Sequence, residues 1–409
     1  MSDKKKLLEN FSALAFMQIL NYLLPFITLP YLVRVLGPEK YGVYIFSQAF
    51  VQYFMIIVDF GFDLSASREI SINRHNKEKL NEIVSSILGI KVILSIISFC
   101  ILVLAVTLVP TLREYWTVHI FTFGFVLGNM LLTLCFYQGI ERMKFITIFN
   151  ASAKIIFTIS IFIFVKNEND LIIAPLLNSL GYILVGISSI IVMKKVFHLR
   201  LQLPSIKEMK YHFQSSLEFF WSRLAVSFYT TSNIFVVGLA LGPTAAGIFG
   251  SADKLFKGMV SLYSPLNSVL YPYVAYSKNI LLYKKILKVA IVVNLILCVS
   301  AFVFSDFIVY LVFGSGYEQS VFLLRIMVCA AIFIMPSILL GYPLLGALGK
   351  TKHVNNSAIY PSICHILLLV VSFSFLSVEL VVFYTLITEV LVFTYRAYGV
   401  KKYQLLKVV

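Results

Sequence analysis

Leu36-Gly37-Pro38-Glu39-Lys40-Tyr41-Gly42 returns as Leu241-Gly242-Pro243-Thr244-Ala245-Ala246-Gly247, with four identities at one offset of 205 residues in a chain of 409. Gly-Pro pairs mark turns, and here the turn repeats at half the chain length. Each copy lies between two long apolar runs. The pattern reads as an internal duplication with two similar halves, residues 1–200 and 201–409, linked through the basic segment 194–210.

Outward from these turns the sequence is apolar. Hydrophobic residues make up 59% and charged residues 13%, and the mean hydropathy is +0.90. Soluble domains carry roughly 45–50% apolar and about 25% charged residues, so the composition excludes a disordered chain and an ordinary soluble enzyme. A helix needs about 20 mostly apolar residues to cross the hydrocarbon core. Such runs are expected near 11–36, 41–66, 84–109, 116–139, 145–165 and 171–193, then near 211–241, 245–274, 286–312, 321–348, 354–376 and 379–399. They are continuous rather than alternating, which argues against a β-barrel. The fold class expected is an all-α polytopic membrane protein with about twelve transmembrane helices.

The net charge of +15 would suggest nucleic acid in a soluble protein. Placement says otherwise. Of 34 Lys and Arg, 24 fall in the termini and the loops on one side, and only Arg34, Lys40, Arg113 and Lys166 fall on the other. By the positive-inside rule both termini are cytoplasmic. Lys4, Lys5 and Lys6 precede an apolar stretch too long for a signal-peptide core, so that stretch reads as the first span. Six spans per half make the repeats parallel, a transporter architecture with the substrate path between the halves. The five cysteines lie within spans without a CxxC spacing and read as apolar fillers.

Six basic residues remain inside spans: Lys91, Lys154, Arg223, Lys254, Lys257 and Arg325. Facing lipid, they would cost roughly 15–20 kcal/mol together. Lys91 is near enough to its cytoplasmic end to snorkel, and Arg325 reads as an anchor near the outer face. Lys154, Arg223, Lys254 and Lys257 are deeper and read as cavity-lining. Asp253 and Lys257 are spaced for an i,i+4 pair, leaving Lys254 pointing elsewhere. Glu218 and Arg223 are poorly aligned for each other, so Arg223 needs another partner. Gln48, Gln52, Asp59 and Asp63 share one face of the second span, Gln18 and Asn21 align on the first, and Asn129 lies on the fourth. Interhelical hydrogen bonds are the commoner use of such residues, but their concentration favours a hydrated path.

Two absences narrow the function. Gly349-Lys350-Thr351 mimics the end of a phosphate loop, but the first glycine such a loop needs is Leu344 here. No metal-spaced His/Cys cluster appears, and His365 reads as a hydrogen-bonded helix residue, so no cofactor is expected. The outer loops are short. Enzymes that act on lipid-linked sugars usually build a catalytic face from a large external loop, so moving a substrate is favoured over transforming one.

Several stretches then carry a family resemblance. Pro30-Tyr31-Leu32-Val33-Arg34-Val35-Leu36-Gly37-Pro38-Glu39-Lys40-Tyr41-Gly42 resembles the opening of Wzx-type O-antigen and polysaccharide flippases, as does Phe60-Gly61-Phe62-Asp63-Leu64-Ser65-Ala66-Ser67-Arg68-Glu69-Ile70. Tyr317, Ser320, Leu324-Arg325-Ile326 and Leu348-Gly349-Lys350-Thr351 resemble later landmarks of that family. The resemblance implies the multidrug/oligosaccharidyl-lipid/polysaccharide exporter superfamily, with two parallel six-helix lobes around a central cavity. It also implies the bacterial inner membrane and an undecaprenyl-pyrophosphate-linked oligosaccharide as substrate, with polysaccharide polymerase machinery as a possible partner. Arg223, Lys254, Lys154 and Lys257 would then hold the diphosphate. Gln18, Asn21, Gln48, Gln52 and Asn129 would line the sugar path. Asp253, Asp59, Asp63 or Glu218 would pair with the cations or couple transport to H+ or Na+. Two alternatives stay open at this level: a small-molecule or drug antiporter, and a membrane polymerase or transferase of the same pathway.

Overall fold

The structure, a computed structural model, describes residues 3–406, with side chains described except at 3–23, 25, 26, 143, 222, 225, 226, 228–230, 264, 265, 268, 269, 272 and 277. Among the described residues every regular element is a helix. Hydrocarbon cannot satisfy exposed backbone groups, and a helix satisfies them within itself. Among the described residues, nine helical segments are long and apolar enough to cross a membrane.

The chain divides into two compact units, residues 1–227 and 228–409. The first holds α1 (Asp3–Asp59), α2 (Phe62–Ile72), α3 (Lys77–Leu108), the short α4 (Pro110–Arg113), α5 (Trp116–Leu132), α6 (Leu134–Gly139), α7 (Met143–Phe164) and α8 (Ile173–Lys195). The boundary falls within α9 (Ile206–Leu241). Then come α10 (Pro243–Ser261), α11 (Ser264–Ser277), α12 (Ile280–Val303), α13 (Ser305–Phe313), α14 (Glu318–Leu339), α15 (Thr351–Val371) and α16 (Val378–Lys402).

Among the described residues nine apolar spans stand against twelve expected runs, for local reasons. The first two expected spans run together in α1, interrupted at Gly37. The seventh and eighth, on α9, α10 and α11, are the ones that carry Arg223, Lys254 and Lys257. α10 carries three charges, Asp253, Lys254 and Lys257, in 19 residues, and parts of α9 and α11 lie outside the described side chains, so Thr231–Leu241 is the apolar stretch described on α9.

The repeated turn adopts one backbone shape twice. Gly37 has φ 71° and ψ 173°, and Gly242 has φ 90° and ψ 173°. This region is open almost only to glycine, and the proline that follows is favourable at the start of a helix. The elements that follow each turn also correspond. The α1/α2 break matches the α10/α11 break, α3 matches α12, and α5 with α6 matches α14 with the π turn Leu340–Gly346.

In the first unit, α5 and α8 cross so closely that only small residues fit. A Cβ added at Gly128 would lie 2.4 Å from the Tyr182 carbonyl carbon, and one at Gly124 would lie 2.7 Å from Ser179 Cβ. Gly124 and Gly128 form the GxxxG spacing that lets membrane helices touch backbones. Below this crossing an aromatic core gathers: Phe60 stacks on Phe213 at 4.3 Å and on Phe220 at 4.5 Å, which seats the first part of α9 in this unit. In the second unit Arg396 on α16 donates from Nε to Ser357 Oγ at 2.9 Å and from Nη1 to the Ser337 carbonyl at 2.9 Å. Counted by sequence among the cytoplasmic charges, Arg396 ties α14, α15 and α16 together.

Candidate functional site

The candidate site forms where helices break. α1 ends at Asp59, and the chain passes through Phe60 (φ 44°) and Gly61 (φ 76°) before α2 begins. A bulky residue at positive φ is a genuine outlier, held here by the Phe60 stacking on α9. Gly61 is required by space as well: an added Cβ would lie 2.8 Å from Phe219 Cβ. A second break separates α5 from α6 at Thr133, a buried residue at φ 38°. α6 then packs on α2 so tightly that a Cβ at Gly139 would lie 2.8 Å from the Ser67 carbonyl. Discontinuous helices of this kind frame ion and substrate sites in transporters.

Two carboxylates flank the first break, and each holds a cation. Lys91 on α3 donates from Nζ to Asp59 Oδ1 at 3.1 Å. Arg223 on α9 donates from Nη1 to Asp63 Oδ2 at 3.0 Å. Arg223 and Asp63 are also within Coulomb reach of Asp59, so the four side chains form one electrostatic cluster. Access separates the two pairs. The Lys91 and Asp59 side chains are 2% and 10% exposed, whereas Arg223 and Asp63 are 41% and 27% exposed. The first pair is sealed and the second can be reached.

The sealed pair corrects the reading of Lys91 as a snorkelling residue. An unpaired ammonium at that depth costs several kcal/mol, and Asp59 offers a partner without the stretch to the headgroups. No spacing rule linked these residues, which are 32 positions apart.

The other site candidates fall as follows. Lys257 pairs with Asp253 at 2.7 Å, the i,i+4 contact expected on α10. Lys254, on the same helix, is exposed and has no salt bridge among the described residues. Lys154 is half-buried on α7, and Glu218 is exposed on α9. Gln48 donates to the Tyr44 hydroxyl at 2.8 Å, while Gln52 and Asn129 are half-buried. Gln18 and Asn21 lie outside the described side chains. Arg325 binds Asp306 and donates to Ser305 Oγ at 2.8 Å, an anchoring arrangement. His365 lies 2.9 Å from Thr388 Oγ1 and 2.8 Å from Asn233 Oδ1, a hydrogen-bonded helix residue.

Nearer the helix ends, the unit carries a further acid–base group that spacing did not indicate. His212 Nδ1 lies 2.9 Å from Glu69 Oε2, and Lys79 lies 2.9 Å from Glu82 and 3.9 Å from Glu208. Ser65 and Ser216 share a hydrogen bond at 2.6 Å. Together these contacts fasten α9 to α2 and α3, below the break.

Comparison with known proteins gives one consistent result. A family model described as polysaccharide biosynthesis protein matches residues 7–278, more than half of the chain. A protein of Escherichia coli (strain K12) named "Putative O-antigen transporter" is 28% identical over 334 residues, 80% of each chain. Among solved structures, one titled as the lipid II flippase MurJ in an inward closed conformation matches with a TM-score of 0.71 at 15% identity. The match covers 96% of this chain and 87% of the other. An inward-facing multidrug resistance MATE family transporter of the MOP superfamily matches with a TM-score of 0.66 at 15% identity, over 95% of both chains.

Proposed function

Since the chain belongs to the polysaccharide biosynthesis protein family, we propose that it is a flippase that carries an undecaprenyl-pyrophosphate-linked oligosaccharide, an O-antigen or capsule repeat unit, across the bacterial inner membrane. The likeness to a curated O-antigen transporter supports the substrate class. The observation that carries the mechanism is the contrast between the two ion pairs at the α1/α2 break.

In this reading Arg223 is the working cation. A diphosphate offers more charge and more acceptor oxygens than one carboxylate, and a guanidinium binds it in a bidentate fork. The arriving headgroup therefore displaces Asp63 from Arg223. Asp63 is left beside Asp59 with less compensating charge, which raises its affinity for H+ or Na+. Substrate capture and ion uptake are linked through one exchange. The Lys91–Asp59 pair stays closed and fixes α3 against the break. Lys154, Lys254 and Lys257 are further candidate phosphate contacts, and Asp253 and Glu218 are further charge-pairing or coupling candidates. Gln48, Gln52 and Asn129 are candidate sugar contacts, and both termini are placed in the cytoplasm.

The test is export of surface polysaccharide in a strain lacking the gene. Complementation by the unaltered chain, and none by Arg223→Ala at equal membrane abundance, is the expected result. Full export by Arg223→Ala would end the proposal that this residue holds the diphosphate.

A further inference from the structure

In the first unit the end of α2, the starts of α3 and α7, and the segments after α6 and α8 enclose a cavity of about 380 Å3. Five basic side chains line it: Arg74, His75, Lys77, Arg142 and Lys144. One acid, Glu141, faces them and pairs with Arg74 at 3.1 Å. Lys77, Arg142 and Lys144 make no salt bridge among the described residues. The remaining wall is apolar and aromatic. The Phe136 and Phe145 rings stand 5.3 and 5.4 Å from Phe197 and join it in lining the cavity. α7 begins at Met143 beside this cavity without a side-chain cap, so its positive dipole end adds to the field.

A basic rim over an aromatic floor fits an amphiphile with an anionic head. The charge asymmetry of the loops puts these helix ends at the cytoplasmic surface, at headgroup level. Basic pockets in that position bind phospholipid headgroups, and the volume is in the range of ligand sites. We propose that this cavity is a binding site for the phosphate-bearing headgroup of an anionic phospholipid. Arg142, Lys144 and Lys77 take the phosphate, and the aromatic floor takes the glycerol and the first acyl carbons. Free phosphate would leave that floor uncovered. The site concerns a lipid of the surrounding bilayer and is independent of the transport reading.

Thermal unfolding of the delipidated full chain in detergent tests it, with four probes: dioctanoyl phosphatidylglycerol, dioctanoyl phosphatidylcholine, inorganic phosphate and farnesyl pyrophosphate. Phosphatidylglycerol is expected to raise Tm saturably, with the other three well behind. The variant Arg142→Gln with Lys144→Gln should bind phosphatidylglycerol about tenfold more weakly, and Arg142→Lys with Lys144→Arg should keep most of the affinity. Equal effects of the two phospholipids, or of inorganic phosphate and phosphatidylglycerol, would overturn the proposal. So would tighter binding of farnesyl pyrophosphate, which would make this a site for the isoprenoid diphosphate class, or unchanged binding by the Gln variant. All the altered side chains are exposed. If a variant fails to accumulate, the four-probe comparison on the unaltered chain still decides.

Discussion

Lys91 and Asn294 are each the fifteenth residue of corresponding helices, α3 beginning at Lys77 and α12 at Ile280. Lys91 meets Asp59 at the α1/α2 break. Asn294 accepts a hydrogen bond from the Tyr263 hydroxyl at the α10/α11 break and donates to the Ala331 carbonyl at 3.2 Å. One architectural contact is built from charges in the first unit and from neutral groups in the second. In the second unit a neutral pair ties the corresponding helices.

Breaking the sealed pair from one side should be costly. Lys91→Met leaves Asp59 as a buried uncompensated carboxylate, and Asp59→Asn leaves Lys91 as a buried ammonium. Each should lower stability by about 3–5 kcal/mol, whereas the double variant should recover most of the loss. Thermal unfolding of the four proteins in one detergent measures the coupling, and additive losses would show the pair to be energetically unlinked.

Asn294→Lys is the reciprocal change. It places an ammonium where Asn294 meets a tyrosine hydroxyl, a backbone carbonyl and the Cys298 thiol, with no salt-bridge carboxylate there among the described residues. A loss of several kcal/mol is expected, and it should be larger than that of Asn294→Gln. Membrane abundance and Tm of the two variants read this directly.

The accessible pair should behave differently. Arg223→Ala or Asp63→Ala should change stability by about 0–1 kcal/mol, since half-exposed pairs contribute little, yet both should lose polysaccharide export. Arg223→Lys keeps the charge and loses the fork, so partial export is expected. Tm compared with export in the same membranes separates the two effects.

The repeated turns and the α5–α8 crossing give two distinct glycine phenotypes. A Cβ at Gly37 or Gly242 meets nothing within 4 Å, so alanine there costs only backbone strain, about 1–3 kcal/mol. Gly128→Ala drives a Cβ to 2.4 Å from the Tyr182 backbone and must separate the helices. Accumulation of folded protein should fall far more for Gly128→Ala than for either turn variant.

Much of this was legible from residues alone. The repeat showed in one seven-residue turn, and the Asp253–Lys257 pair showed in helical spacing. The helix breaks at Phe60–Gly61 and Thr133 did not show, because Phe and Thr at positive φ follow no propensity and are imposed by packing on α9 and α2. Lys91–Asp59 did not show because depth along one helix says nothing about the neighbouring helix. One signal was present and unread. The offset of 205 makes Gln48 and Gln52 the counterparts of Asp253 and Lys257, so one register carries neutral residues in the first repeat and an ion pair in the second. Carrying every polar residue across the repeat would have flagged the first-unit charges at the break as special.

In the proposed mechanism the reachable pair works in transport while the sealed pair holds the helices together. Translocation of lipid-linked oligosaccharide in proteoliposomes tests it most directly, comparing the unaltered chain, Arg223→Ala, and Asp59→Asn combined with Lys91→Met. Arg223→Ala is expected to lose at least about tenfold in rate, equivalent to about 1.4 kcal/mol or more, while the neutralised sealed pair keeps most of it. Full activity of Arg223→Ala, with loss of activity in a folded Asp59→Asn and Lys91→Met protein, would contradict it.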